Sequence, residues 1–171
     1  MSVISDFPSN LPLNEPCRNY LFRVKWDGRY IPAVSRVLGL TRTTEVVENW
    51  GADAPGINRK SAGLTRFEAI TLERSLTDDP SFEEWANIVW KSSMDVGSEA
   101  SLREFRKNVE IELYNEAGEL VRAYIVRRAW PSEYQALSTL DVSENAVVIE
   151  RMRLESEGWE RDTAAAPQPQ S

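Results

Sequence analysis

The sequence predicts a mainly β fold, a β-sandwich or barrel with one flanking α-helix. Three observations carry this: several segments of period-two alternation, turn dipeptides between them, and a single stretch with a helical apolar period. "YLFRVKW" sets Tyr20, Phe22, Val24 and Trp26 against Leu21, Arg23 and Lys25, and Asp27-Gly28 then supplies a hairpin turn. The return strand, Tyr30 to Leu38, is interrupted by Pro32, which marks an edge or a bulge.

"TRTTEVVENW" is rich in β-branched residues and extends as a strand, whereas "GADAPGINRKSAG" has loop composition. A connection of that length raises the expectation of an interaction role. "LTRFEAITLERSL" resumes the alternation. A helix of about 12 residues follows at "TDDPSFEEWANIVWKSS", with Asp79 as N-cap, Pro80 at the first helical position and Glu83 and Glu84 near the positive end of the dipole. Its apolar face is Phe82, Trp85, Ala86 and Val89. "KNVEIELYNEAGELVRAYIVRRAW" reads as a hairpin turning at Gly118, with Leu120 to Trp130 running back and Pro131 expected to stop further pairing. A last strand, "NAVVIERMRLESEGW", alternates Ala146, Val148, Glu150, Met152 and Leu154 against Val147, Ile149, Arg151 and Arg153.

Residues 1–17, with Pro8, Pro12 and Pro16, form an N-terminal arm, residues 18–162 the β domain, and residues 163–171 a tail with nothing to bury. The start of the chain lacks a basic patch followed by an apolar run, and no stretch is apolar enough for a membrane span, so folding in the cytoplasm is the expectation.

Composition narrows the chemistry. The 171-residue chain contains no histidine, which removes the commonest general base, the Ser-His and Cys-His pairs and the usual zinc ligands. One cysteine, Cys17, permits neither an internal disulfide nor a cysteine cluster. With 27 acidic and 20 basic residues the net charge is −7, which opposes binding to a phosphate backbone. Phosphate-cradling and serine-hydrolase motifs are absent from the sequence, and Asp78, Asp79, Glu83 and Glu84 lack the glycine-centred spacing of a calcium loop. No catalytic residue, cofactor or metal is therefore expected. Of the six tryptophans, Trp26 and Trp85 lie on core stripes, while Trp50, Trp90, Trp130 and Trp159 sit at element ends, where rings seal edges or interfaces. Arg127-Arg128 and Arg151/Arg153 read as solvated strand faces, or as partners for acids of a neighbouring copy.

Taken in order, "NYLFRVKWDG", "SRVLGL", "TEVVENW", "RKSAGLTRFEAITLERSLTDD", "FEEWANIVW", "FRKNVEIELYNEAGE", "RAWPSEYQALSTLD" and "IERMRLESEGWERD" resemble the phage tail tube protein family, which includes the inner-tube proteins of contractile injection systems. The resemblance implies a tail-tube type β domain whose copies join edge to edge into hexameric rings. It further implies that the rings stack into a tube inside a sheath, built with baseplate and tube-initiator proteins, as part of a virion tail or an injection particle carrying cargo in its lumen. By the same resemblance the loop Glu45–Gly63 reaches the adjacent ring. Its contact candidates are Glu45, Glu48, Trp50, Arg59 and Lys60, joined by Arg127, Arg128, Trp130, Tyr134 and Trp159 at the junction near the strand end. A tube-initiator or adaptor ring is the nearest alternative. A carbohydrate-binding β-sandwich using surface tryptophans is the alternative from another class.

Overall fold

The computed structural model describes residues 20–50, 58–94, 105–139 and 147–165. The N-terminal arm and most of the C-terminal tail lie outside the described residues. In chain order the elements are β1 (Leu21–Trp26), β2 (Arg29–Tyr30), β3 (Val34–Leu38), β4 (Arg42–Trp50), β5 (Asn58–Phe67), β6 (Ile70–Ser75), α1 (Ser81–Met94), β7 (Lys107–Tyr114), β8 (Leu120–Gln135), β9 (Ile149–Glu155) and β10 (Gly158–Asp162).

The main sheet runs β2-β1-β7-β8-β9-β6-β3, with β10 also on β8, and β4 and β5 form a separate two-stranded sheet. The pairings are antiparallel throughout. The β1–β2 turn sits at Asp27 and Gly28, both with positive φ (51° and 71°), the conformation whose twist matches the flanking strands. The two ends of the sheet are consecutive in the chain: Ile31 N donates to Val24 O at 2.9 Å, and Ala33 O accepts from Ser75 N at 3.3 Å. The sheet thus curls around a single core made of Val24, Trp26, Ile70, Leu72, Val109, Ile111, Val126, Met152 and Leu154.

Strand β8 makes the corner. Its first half pairs with β7 and β10, its second half with β9, and Arg128 between them has φ 48°. A strand shared by two sheet directions needs such a bend. The expectation that Pro131 stops pairing is corrected here: Pro131 pairs opposite Leu154 and Tyr134 opposite Met152, with a register shift between Pro131 and Glu133. The bulge accommodates a residue with no N–H, so the ladder continues to Gln135.

Helix α1 closes the core. Asp79 Oδ1 accepts from Ser81 N at 3.0 Å and Pro80 O from Glu84 N at 2.8 Å, which places the cap and the proline as expected. The helix is 14 residues long, slightly longer than its apolar period indicated. Phe82 and Trp85 pack on Trp26 with ring centroids 5.8 and 4.9 Å away, and Trp85 Nε1 donates to Phe105 O at 2.6 Å.

Candidate assembly surface

Among the longer described elements, the β4–β5 pair is highly exposed. The loop composition of "GADAPGINRKSAG" misled: from Asn58 the chain is strand, and only residues 51–57 lie outside the described set. Its ten residues were hard to read because an exposed strand carries no alternation of burial to detect. Arg42 through Asn49 are all exposed. A nine-residue strand spans about 30 Å, so the hairpin is an arm rather than a tight turn.

Cross-strand contacts hold the arm together. Thr44 Oγ1 and Thr65 Oγ1 are 2.9 Å apart, Asn49 Nδ2 donates to Ser61 Oγ at 3.3 Å, and Lys60 Nζ lies 3.8 Å from Glu48 Oε1. The ion pair is exposed and contributes little. Val46 and Leu64 are 60% and 69% exposed. A two-stranded ribbon of this kind is marginal in water without a surface to lie on. Glu45 and Arg59 are exposed with no ion pair among the described residues. Trp50 pairs through its backbone with Asn58.

The base of the arm is fixed by aromatic packing. Trp159 meets Phe67 and Tyr124 edge-on at 6.2 and 5.9 Å, and the Arg42 guanidinium lies 5.9 Å from its ring. Gly158, at φ 136°, brings its backbone against Phe67: an added Cβ would fall 3.1 Å from the ring. Trp159, expected at an interface, is half-buried and clamps β5 to β10.

The other expected contact residues have partners within the chain. Arg127 pairs with Glu160, and Arg128 Nε with Glu157 Oε1 at 2.9 Å, where Arg106 also converges. Trp130 is half-buried, 6.2 Å from Phe105. Tyr134 donates to Glu150 Oε1 at 2.7 Å. The structure therefore brings Glu45, Glu48, Trp50, Arg59 and Lys60 onto one arm, while the remaining five belong to the body around the β8 corner.

Sequence reasoning missed a buried polar network. Arg74, 1% exposed, donates to Glu150 Oε2 at 2.6 Å, to Asp79 Oδ1 at 3.0 Å, to Asp79 O at 2.7 Å and to Ser81 Oγ at 3.2 Å. Its guanidinium also covers the Phe82 ring at 4.1 Å. The network joins β6, β8, β9 and the start of α1. Hydrogen bonds from Ser81, with Arg74 adding, hold the Asp79 carboxyl below its ordinary value against the opposing effect of burial. Burial, then its bond to Glu150, pushes the Tyr134 phenol up. The available signal was parity, since Arg74 continues the buried row Ile70–Leu72.

On the outer face, Glu112 accepts from Tyr30 at 3.1 Å and from Tyr114, with Lys25 at 3.6 Å. Among the described residues no group of three or more acidic or cysteine side chains is placed to hold a metal ion, and no helix is long and apolar enough to cross a membrane. A cavity of about 140 Å³ lies between α1 and the β1–β2 turn, and one of about 300 Å³ lies beside β1 and β3.

These features define a mainly β domain whose distinctive surface among the described residues is an exposed two-stranded arm. The chain belongs to the family described as T4-like virus tail tube protein gp19, which matches residues 18–160. Among solved structures, a chain of an extracellular contractile injection system, the PVC sheath-tube complex in its extended state, is similar at a TM-score of 0.70 and 22% identity, covering 88% of this chain and 93% of that one. A chain of the anti-feeding prophage cap, the AFP tube-terminating cap, is similar at 0.73 and 21% identity, with 96% and 100% covered. A third similar chain, from the six-fold symmetrised AFP baseplate, gives 0.65 and 23% identity, with 83% and 91% covered. At these identities the likeness is one of fold. No match to this chain is found among the curated proteins.

Proposed function

We propose that this chain is a structural subunit whose copies join into six-membered rings that stack as the inner tube of a contractile tail or injection particle, and that it is not an enzyme. Its partners on this reading are further copies of itself, a sheath protein around the tube, baseplate and tube-initiator proteins at its end, and cargo in the lumen. Assembly takes place in the bacterial cytoplasm. The observation that carries the reading is the β4–β5 arm. In a chain matched by the tail tube family over residues 18–160, it exposes Val46 and Leu64 on a two-stranded ribbon that gains from a covering surface. The contacts to a neighbouring ring centre on Glu45, Glu48, Trp50, Arg59 and Lys60. The net charge of −7 suits a conduit to which an acidic cargo does not adhere.

Negative-stain electron microscopy over a concentration series, with and without pre-formed baseplates, tests this. Six-fold rings or hollow rods are expected. Monomers that fail to extend even on baseplates would overturn it. Reversing both Arg59 and Lys60 to Glu is expected to shorten or abolish rods while leaving the thermal midpoint within about 2 °C, since exposed charges contribute little to stability.

A further inference from the structure

The β4–β5 arm shares no strand pairing with the main sheet and meets the body through two short connections, residues 39–41 and 68–69. These run side by side: Glu68 N donates to Thr41 O at 3.0 Å, and Thr43 Oγ1 donates to Glu68 Oε1 at 3.0 Å. They are also closely packed, since a Cβ added at Gly39 would fall 3.0 Å from Ala69 O. Two adjacent connections fix the line about which a ribbon tilts. The tilt itself is held only by a contact away from that line.

Trp159 makes such a contact. Arg42 and Phe67 stand opposite each other on the rung nearest the body, so their side chains share a face. Both reach the same indole: Phe67 meets it edge-on at 6.2 Å, and the Arg42 guanidinium lies 5.9 Å from its ring. On the body side the ring is held by Tyr124, edge-on at 5.9 Å, and by the core it packs against. Its backbone is held by the β10–β8 ladder, where Trp159 stands opposite Val126. The indole Nε1 is buried with no hydrogen-bond partner among the described residues, so ring packing and ring electrostatics alone orient the side chain.

The leverage is large. Glu48 stands opposite Lys60 and Asn49 opposite Arg59, about 20–25 Å along the ribbon from the Arg42–Phe67 rung. A tilt of about 10° at the root displaces these residues by roughly 4 Å, far outside the window of about 0.5 Å that a hydrogen bond allows. Solid angle grows as the square of a small half-angle. An arm free within a cone of about 30° rather than about 10° is therefore correctly aimed about one time in nine, and its apparent affinity falls by that fraction.

We propose that Trp159 is a positioning residue: it sets the angle at which the β4–β5 arm leaves the body, and so the place where the arm's far end meets a second copy. The meeting with a second copy rests on the tube reading above; the angle does not.

Residual dipolar couplings of the unassembled full chain, weakly aligned in a stretched gel, read the angle. In the parent, the amides of β4 and β5 are expected to fit the alignment frame of β1, β7 and β9. Trp159→Leu is expected to shrink the arm couplings by at least about 15%, the averaging that a cone of about 30° imposes, while the body keeps its values. Trp159→Phe keeps an aromatic edge and gives up only an unpartnered N–H, so it is expected to preserve the fit. Phe67→Leu loosens the clamp from the arm side, outside the core cluster, and is expected to reproduce the loss; it carries the same comparison should Trp159→Leu not fold. Undiminished arm couplings in the Leu variants, a Phe replacement as loose as Leu, or a parent arm that already fails to fit the body's frame would overturn the positioning role. For assembly, the concentration at which rods appear is expected to rise about tenfold in Trp159→Leu and to stay within about twofold of the parent in Trp159→Phe. An unchanged threshold in a variant with loosened couplings would overturn the role in assembly. A parent chain that never forms rods counts against the tube reading, and the couplings then still decide the angle.

Discussion

Replacing Arg74 by Met tests how the helix is tied to the sheet. The side chain is 1% exposed and its donors reach Glu150, Asp79 and Ser81 at 2.6 to 3.2 Å. Met fills much of the volume but leaves Glu150, whose side chain is 6% exposed, with the Tyr134 hydroxyl as its remaining donor in this network. Breaking a buried pair by removing one partner costs about 3–5 kcal/mol, because the other charge stays buried without compensation. For a domain of this size each kcal/mol lowers Tm by about 2–4 °C, so a drop of roughly 6–20 °C is expected. Urea denaturation of the unassembled chain gives the free energy directly. Replacing Glu150 by Met as well removes the stranded charge, and the double variant should recover at least about half of the loss. A single-variant loss below about 1 kcal/mol, or a double variant as poor as the two singles summed, would refute the reasoning.

Other consequences follow from the same geometry. Asp79→Ala removes the helix cap as well as a partner of Arg74, and should cost at least about 1 kcal/mol by denaturation. Because the Asp79 carboxyl is held below the ordinary value of 3.8, its stabilising share is complete above that value and is lost as pH falls through the lower, folded one. The stability gap between the parent and Asp79→Asn should accordingly hold above the ordinary value of 3.8 and narrow as pH falls below it, and a constant gap would contradict this. Tyr134 and Tyr114 are both pushed up, the first chiefly by burial and the second chiefly by its bond to Glu112. Their contribution is intact below the ordinary phenol value of 10.0 and disappears as pH rises through the raised values, so these two should ionise well above that value in an ultraviolet titration, and Tyr134→Phe should remove one such step. Trp159→Ala should cost about 2 kcal/mol, less than a fully buried tryptophan, and should speed amide exchange at the base of β4–β5 before the core responds.

Several elements could be read directly from the chain because their determinants are local. Asp27-Gly28 specified its own turn, Asp79-Pro80 its own cap, and the rows Val24–Trp26 and Met152–Leu154 their buried faces, since a two-residue period fixes which side of a strand is apolar. The ordered segments also pointed to the tail tube family, which the match over residues 18–160 bears out. What the tertiary structure decided concerns residues far apart in sequence. Nothing near Arg74 indicates that Glu150 will be its partner, nor does anything near Pro131 show that β9 will continue the ladder past it. The strand at Asn58–Phe67 was hidden for the opposite reason, because a ribbon exposed on both faces leaves no hydrophobic alternation to detect. Parity along a chain determines the face each side chain takes, but partners are chosen by pairing and packing between distant segments, and only the folded molecule contains those.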